Sequence, residues 1–158
     1  MFREMLRSQQ QLTEAECIDI LKREPRGVLS VLGDEGYPYG MPMNHYYCEA
    51  DGKLYFHGGK NGHKIDALRR CDKASFCVYD QGVRREGEWF LRFKSIIVFG
   101  RVAFIEDEAR IYEISRQLSY KFTSDEAYIA DEIRRAGPRT LLFALTPEHI
   151  CGKQVKES

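Results

Sequence analysis

The stretch at residues 53–64, K-L-Y-F-H-G-G-K-N-G-H-K, constrains the fold more than any other part of this sequence. It follows an Asp-Gly turn signal, and its apolar residues 54–56 favour a strand. Three closely spaced glycines then interrupt the strand: Gly58, Gly59 and Gly62. Ile65 and Leu68 follow with helical spacing. The sequence therefore predicts a strand, a glycine-rich loop and a helix start in direct succession.

This succession is typical of a phosphate-binding site. Glycines let the backbone approach an anion, and the first turn of a helix offers free N–H groups and the positive end of its dipole. Lys60, His63 and Lys64 add side chains that can carry charge, and residues 60–73 contain five Lys or Arg against two Asp. The loop matches neither G-x-x-x-x-G-K-[ST] nor G-x-G-x-x-G. The residues alone leave a second interpretation open, a tight turn whose lysines are simply solvated.

Length and composition predict one domain over residues 1–158. Hydrophobic residues make up 43% and charged residues 30%, which suits a soluble globular protein. The formal net charge of zero disfavours a nucleic-acid partner, and no apolar run is long enough for a membrane span. The five cysteines are odd in number and form no C-x-x-C pair, so we expect reduced thiols and no metal site. With no signal-peptide pattern at the start, these features predict a cytoplasmic protein.

The pattern along the chain predicts short strands joined mostly by turns. A capping box, Thr13 with Glu16, begins a helix at residues 14–24, after a polar arm at residues 1–12. The predicted strands are 27–32, a proline-containing strand that continues to Cys48, one that enters the glycine-rich loop, 74–79, a long region at 89–106 with a bulge at Gly100, and 140–145. Three further helices are predicted: 62–71, one beginning at Asp107, and 124–136, with a tail from Glu148. Because prolines cannot donate to a ladder, the second strand is expected at a sheet edge or bulge. This order favours a mainly β antiparallel barrel with peripheral helices.

Several short segments together resemble the pyridoxamine 5'-phosphate oxidase-like flavoproteins, and within them the group that contains the 5-nitroimidazole resistance (Nim) proteins. These segments are R-G-V-L-S at 26–30, G-Y-P-Y-G-M-P-M-N at 36–44, L-Y-F-H-G at 54–58, G-H-K at 62–64, K-S-I-I-V-F-G-R-V at 94–102 and I-C-G-K at 150–153. Their order and spacing, over residues 13–153, carry the resemblance. It implies an FMN-binding split β-barrel that forms a homodimer with FMN at the interface.

The resemblance also implies a set of cofactor-binding residues. The FMN phosphate is expected at the glycine-rich loop, on His57, Gly58, Lys60, Asn61, Gly62, His63 and Lys64. The flavin ring is expected along Met41, Pro42, Met43 and Asn44, with the partner subunit contributing around Ser95 and Ile96. Core packing is the competing interpretation for both methionines. FMN is expected to bind better than FAD, because a loop that encloses the phosphate leaves no exit for an adenylate.

Cations near the flavin favour its reduction, and Lys153, Lys94 and Arg92 are the candidates. His57 is the candidate catalytic proton donor, with His45 as a second histidine that could fill this role. The chain near the C-terminus offers only Lys153 and Lys156 for a substrate phosphate, so pyridoxamine 5'-phosphate oxidation itself is not expected.

Three functions remain open from the sequence. The leading one is an FMN-dependent oxidoreductase that reduces a small planar substrate such as a nitroaromatic. The others are an FMN carrier or sensor without a substrate of its own, and a haem-handling protein with His57 or His45 as axial ligand.

Overall fold

The computed structural model of the protein describes residues 1–157, which form one antiparallel sheet with four α-helices around it. The helices are α1 (Glu14–Arg23), α2 (His63–Arg70), α3 (Glu108–Tyr120) and α4 (Glu126–Ala136). The strands are β1 (Arg26–Leu32), β2 (Pro38–Asn44), β3 (Tyr46–Cys48), β4 (Lys53–Gly59), β5 (Lys73–Tyr79), β6 (Leu91–Ile105) and β7 (Thr140–Glu157). No helix within these residues is both long and apolar enough to cross a membrane.

The sheet has the strand order β2-β1-β5-β6-β7-β4-β3 and curls on itself, so that the edge strand β2 also contacts β4. Strand β5 has one face inside the curl: Ala74, Phe76 and Val78 are buried while their neighbours are not. Phe76 meets the ring of Phe56 edge-on at 4.9 Å inside the curl. The predicted antiparallel split barrel is therefore confirmed, and the predicted edge position of the proline-containing strand is correct.

Helix α1 begins as its sequence predicts. The Thr13 side chain accepts a hydrogen bond from the Glu16 N–H at 3.3 Å, and the Glu16 carboxylate accepts from the Thr13 N–H at 2.9 Å. Residues 1–12 are less detached than the polar arm that we expected. Leu12 is buried, and its N–H donates to the Gly152 carbonyl at 2.8 Å.

The second predicted strand is wrong in one respect, because it does not continue to Cys48. It ends at Asn44, and β3 pairs instead with β4 at the opposite edge of the sheet. His45 lies at the break with a fully buried side chain, and its Nε2 lies 2.7 Å from the Leu21 carbonyl. A contact with a helix 24 residues away therefore redirects the chain, and no glycine or proline marks the position.

The tail that we expected from Glu148 is also wrong, since β7 continues to Glu157 and pairs with β6. The ladder shifts register where Phe99 faces His149 and Gly100 faces Pro147, which leaves Glu148 as the extra residue. The bulge predicted at Gly100 is present, and a Cβ there would lie 2.1 Å from the Thr146 carbonyl oxygen. The strand tolerates Pro147 here because at a bulge a proline removes no ladder hydrogen bond.

Candidate functional site

The glycine-rich loop leads from β4 into the first turn of α2, as predicted. Lys60, Asn61 and Gly62 are all exposed. Gly62 precedes the helix with φ +122°, a backbone conformation that side chains disfavour, and no side chain caps the helix. The first N–H groups of α2 therefore face outward without a side-chain acceptor, next to the positive end of the helix dipole.

Lys64, in this first turn of α2, has a half-buried ammonium group with no carboxylate close by in residues 1–157. Its Nζ lies 3.5 Å from the Met43 sulfur and 5.9 Å from the centre of the Phe143 ring. Within residues 1–157 no carboxylate oxygen comes within 4 Å of it, and burial lowers its pKa below the ordinary lysine value. A Cβ on Gly58 would lie 2.9 Å from this Nζ, so the glycine makes room for the ammonium. A buried cation of this kind is favourable when an anion joins it.

His63 has a supporting contact outside the loop. Its ring stacks on Tyr39 at 4.1 Å, and its Nε2 accepts a hydrogen bond from the Asp34 N–H at 3.2 Å. Arg70, at the other end of α2, donates to the Asp34 carboxylate at 2.7 Å. Both contacts join α2 to the turn between β1 and β2, so His63 positions the loop relative to β2.

Strand β2 brings the four residues predicted to face a flavin ring to the open edge of the sheet. Met43 is buried in the core, and Met41 packs partly against it, so their side chains serve the core as the competing interpretation proposed. Pro42 is exposed, and Asn44 accepts a hydrogen bond from Arg26 Nε at 3.0 Å. What β2 offers to a ligand is therefore its backbone, because an edge strand has unpaired N–H and C=O groups.

His57 lies on the outer face of β4, opposite Leu142 of β7. Its side chain is accessible, yet the surrounding protein and then the charge of Lys64 lower its pKa from the ordinary histidine value. With Asn44 it lines a cavity of about 270 Å³ between the sheet and helices α3 and α4. The neutral ring can donate one hydrogen bond and accept another within this cavity.

The remaining predicted residues lie elsewhere in the protomer. Ser95 pairs with Lys153 in the β6–β7 ladder, ten positions along β7 from Phe143. At roughly 3.3 Å per residue this is about 33 Å along the course of the strand, so Ser95 and Lys153 do not lie beside Lys64. The Ile96 side chain is fully buried in the core. Two of the candidate cations are paired: Lys94 lies 3.5 Å from Glu16, and Arg92 binds Glu88.

The sequence did not predict the interaction between Lys121 and the segment that contains His45. Lys121, just after α3, donates to the carbonyl of His45 at 2.6 Å and to that of Glu24 at 2.8 Å. Burial lowers the pKa of Lys121 to about 8, and burial with the Lys121 charge lowers that of His45 to about 4. Nothing in the sequence around Lys121 distinguishes it from a solvated lysine at a helix end.

The comparison with protein families agrees with this geometry. A family model described as pyridoxamine 5'-phosphate oxidase matches residues 13–154. The chain belongs to the pyridoxamine 5'-phosphate oxidase family. The match covers all seven strands except the end of β7, and it includes both the loop before α2 and strand β2. The predicted resemblance is thus confirmed at the level of the family. No protein of curated function matches the chain significantly.

Solved structures of other proteins share the fold at low identity. A candidate 5-nitroimidazole antibiotic resistance protein from Bacteroides thetaiotaomicron has a TM-score of 0.76 at 21% identity, over 93% of this chain and 87% of that one. A FAD-binding protein from Mesorhizobium loti has a TM-score of 0.68 at 21% identity, over 92% and 97%. A FAD and heme binding protein from Mycobacterium smegmatis has a TM-score of 0.71 at 21% identity, over 91% and 72%.

Proposed function

We propose that the protein binds FMN, with the phosphate at the start of α2 and the flavin ring along the edge of β2. The half-buried Lys64 ammonium, which has no carboxylate within 4 Å in the described part of the chain, carries this proposal. It lies beside free helical N–H groups, and its contact with Met43 joins the phosphate end to β2. Similar structures that are described as binding a flavin support the same cofactor class.

The choice of FMN over FAD rests on charge. Because Lys60, Asn61 and Gly62 are exposed, the loop would border the phosphate and not enclose it. An adenylate therefore has room to leave the site, and enclosure of the phosphate does not favour FMN over FAD. A terminal phosphate monoester carries roughly −1.5 to −2 charges at pH 7, whereas each phosphate of the FAD pyrophosphate carries about −1. The ammonium of Lys64 and the N–H groups of α2 therefore interact more strongly with FMN.

Two features support a homodimer as part of this proposal. The predicted residues Ser95 and Lys153 lie well away from Lys64 along β6 and β7, so if they belong to the flavin site they come from a second copy. The outer face of the sheet also presents an apolar row across four strands: Val28, Cys77, Ile97 and Cys151, which pair side by side. Val28 and Ile97 are 36% and 39% exposed, and such a face is typical of an interface.

Bound FMN would supply two-electron transfer, which makes an oxidoreductase for a small planar substrate the leading activity. The part of the protein is to bind and orient the ring and to exclude water. His57, which lines the cavity, can accept a proton from a substrate at its ring nitrogen because its lowered pKa favours the neutral ring. This role for His57 is the catalytic part of the proposal.

The absorbance spectrum and released cofactor of the purified protein test the proposal. FMN gives a band near about 450 nm, and haem would give an intense Soret band instead. We expect FMN by mass spectrometry, and in titration FMN should bind more tightly than FAD. A haem spectrum, or equal affinity for FMN and FAD, would contradict the cofactor assignment. Turnover with a reduced nicotinamide and a nitroaromatic distinguishes an enzyme from an FMN carrier.

Light scattering of an Ile97→Lys variant tests the dimer. The wild-type particle should have twice the 18.4 kDa mass of the chain, and Ile97→Lys should shift it to the monomer because a charge is then buried in the apolar row. Val83→Lys is the matched control, since Val83 is an exposed apolar residue in the loop before β6. A flavin-loaded wild-type monomer would rule out the shared site.

A further inference from the structure

The cavity between α3, α4 and the sheet has an apolar wall and a polar side formed by the sheet. Its wall is formed mainly by Ile111 and Leu118 of α3, Ile129 and Ile133 of α4, and Leu142 of β7. Asn44, His57 and Thr140 are polar groups at the sheet side of the same cavity. An apolar wall with a few polar groups is the usual composition of a small-molecule site.

The volume of the cavity limits what it can hold. It measures about 270 Å³. A cavity of about 150 Å³ accepts benzene, and drug-sized ligands occupy roughly 300 Å³ or more. One ring or two fused rings therefore fit. Phe122 and Tyr128 line the cavity with about half of each ring exposed, so they can stack on a planar ligand as it enters.

The charges along the cavity wall decide which rings are accepted. Among residues 1–157, no lysine or arginine lines it, and its one carboxylate, that of Glu132, forms an ion pair with Arg135. An anionic ligand would lose its hydration and gain no cation there. This disfavours a phosphorylated substrate in the cavity and distinguishes it from the Lys64 site, which presents a cation.

We propose that this cavity binds the aromatic substrate as an uncharged molecule of one or two rings, held at its polar end by Asn44 and His57. The identification of the ligand as the substrate rests on the proposed function, because Asn44 also ends the strand assigned to the flavin ring. The binding site itself depends only on the cavity. The ligand enters past Phe122 and Tyr128, and its hydrogen-bonding group meets the His57 ring.

Binding of indole, measured by calorimetry on protein with and without FMN, tests this proposal. Wild type should bind indole in both forms, and indole-5-carboxylate at least about tenfold more weakly. Ala136→Phe fills the cavity from α4 and should weaken indole binding at least about tenfold without changing FMN affinity. Ala130→Phe is the matched control, since Ala130 is exposed on the same helix and does not line the cavity.

Ser115→Met fills the same space from α3 and should also weaken indole binding, so it replaces Ala136→Phe if that variant does not fold. Unchanged indole affinity in either folded variant would overturn the proposal, and so would tight binding of the carboxylate. Absence of indole binding to wild type, with loss of the dimer in Ala136→Phe, would assign the cavity to a second copy of the chain and also overturn it. Failure of FMN to bind would contradict the proposed function but not the cavity site.

Discussion

Lys64 and Lys121 have the same charge and similar burial, but they lie in different surroundings. Neither has a carboxylate within 4 Å among residues 1–157, and burial lowers the pKa of both. Lys121 donates to two backbone carbonyls, whereas within residues 1–157 Lys64 has one hydrogen-bond contact, with the Met43 sulfur at 3.5 Å. A buried ammonium with strong acceptors stabilises the fold. A buried ammonium without such acceptors lowers the stability of the fold until an anionic ligand binds to it.

The largest expected effect of this difference is on stability. Lys121→Met removes two charge-assisted hydrogen bonds and leaves the carbonyls of Glu24 and His45 unpaired, so it should lower the free energy of unfolding by about 3–5 kcal/mol. Lys64→Met should leave it unchanged or raise it in protein without flavin, because no strong hydrogen bond is lost. Urea unfolding of both variants measures this. Equal losses would mean that the two lysines are equivalent and that the comparison is wrong.

The buried His45 beside Lys121 should make the stability of the protein depend on pH. Its Nε2 donates to the Leu21 carbonyl, while its buried Nδ1 has no partner within the described residues. A pKa of about 4 in the folded state, against 6.5 when unfolded, means that the folded state binds fewer protons between these values. Stability should therefore fall by about 3 kcal/mol as the pH drops from 6.5 to 4.

His45→Gln should reduce this dependence, because glutamine can donate to Leu21 but does not titrate. Unfolding in urea at several pH values measures the slope for both proteins. A profile of the same steepness in His45→Gln would show that carboxylates account for acid lability and that the buried histidine does not.

What the sequence predicted well depends on residues that are close along the chain. The capping box at Thr13, the loop before α2 and the bulge at Gly100 follow from local chemistry and backbone limits. The different surroundings of Lys64 and Lys121 could not be predicted in this way. The carbonyls that bind Lys121 are 76 and 97 residues away, in segments whose approach only the whole fold determines.

The candidate site shows the same limit. Residues 57–64 are contiguous, and the structure keeps most of them together around the helix start. His63 has a positioning role because Tyr39 and Asp34 come from another hairpin. The cavity that joins Asn44 and His57 has walls from α3 and α4, which begin about fifty and about seventy residues after His57. No local pattern indicates that these helices leave a space over β4.

The central claim is that Lys64 lacks an acceptor because it binds the FMN phosphate. Titrations of wild type, Lys64→Met and the exposed-lysine control Lys73→Met with FMN and with riboflavin test it most directly. A charge-assisted hydrogen bond contributes roughly 1.5–3 kcal/mol, so Lys64→Met should weaken FMN binding about tenfold to a hundredfold. Riboflavin, which has no phosphate, should bind all three proteins equally. Equal weakening of both ligands by Lys64→Met, or weakening of neither, would contradict the claim.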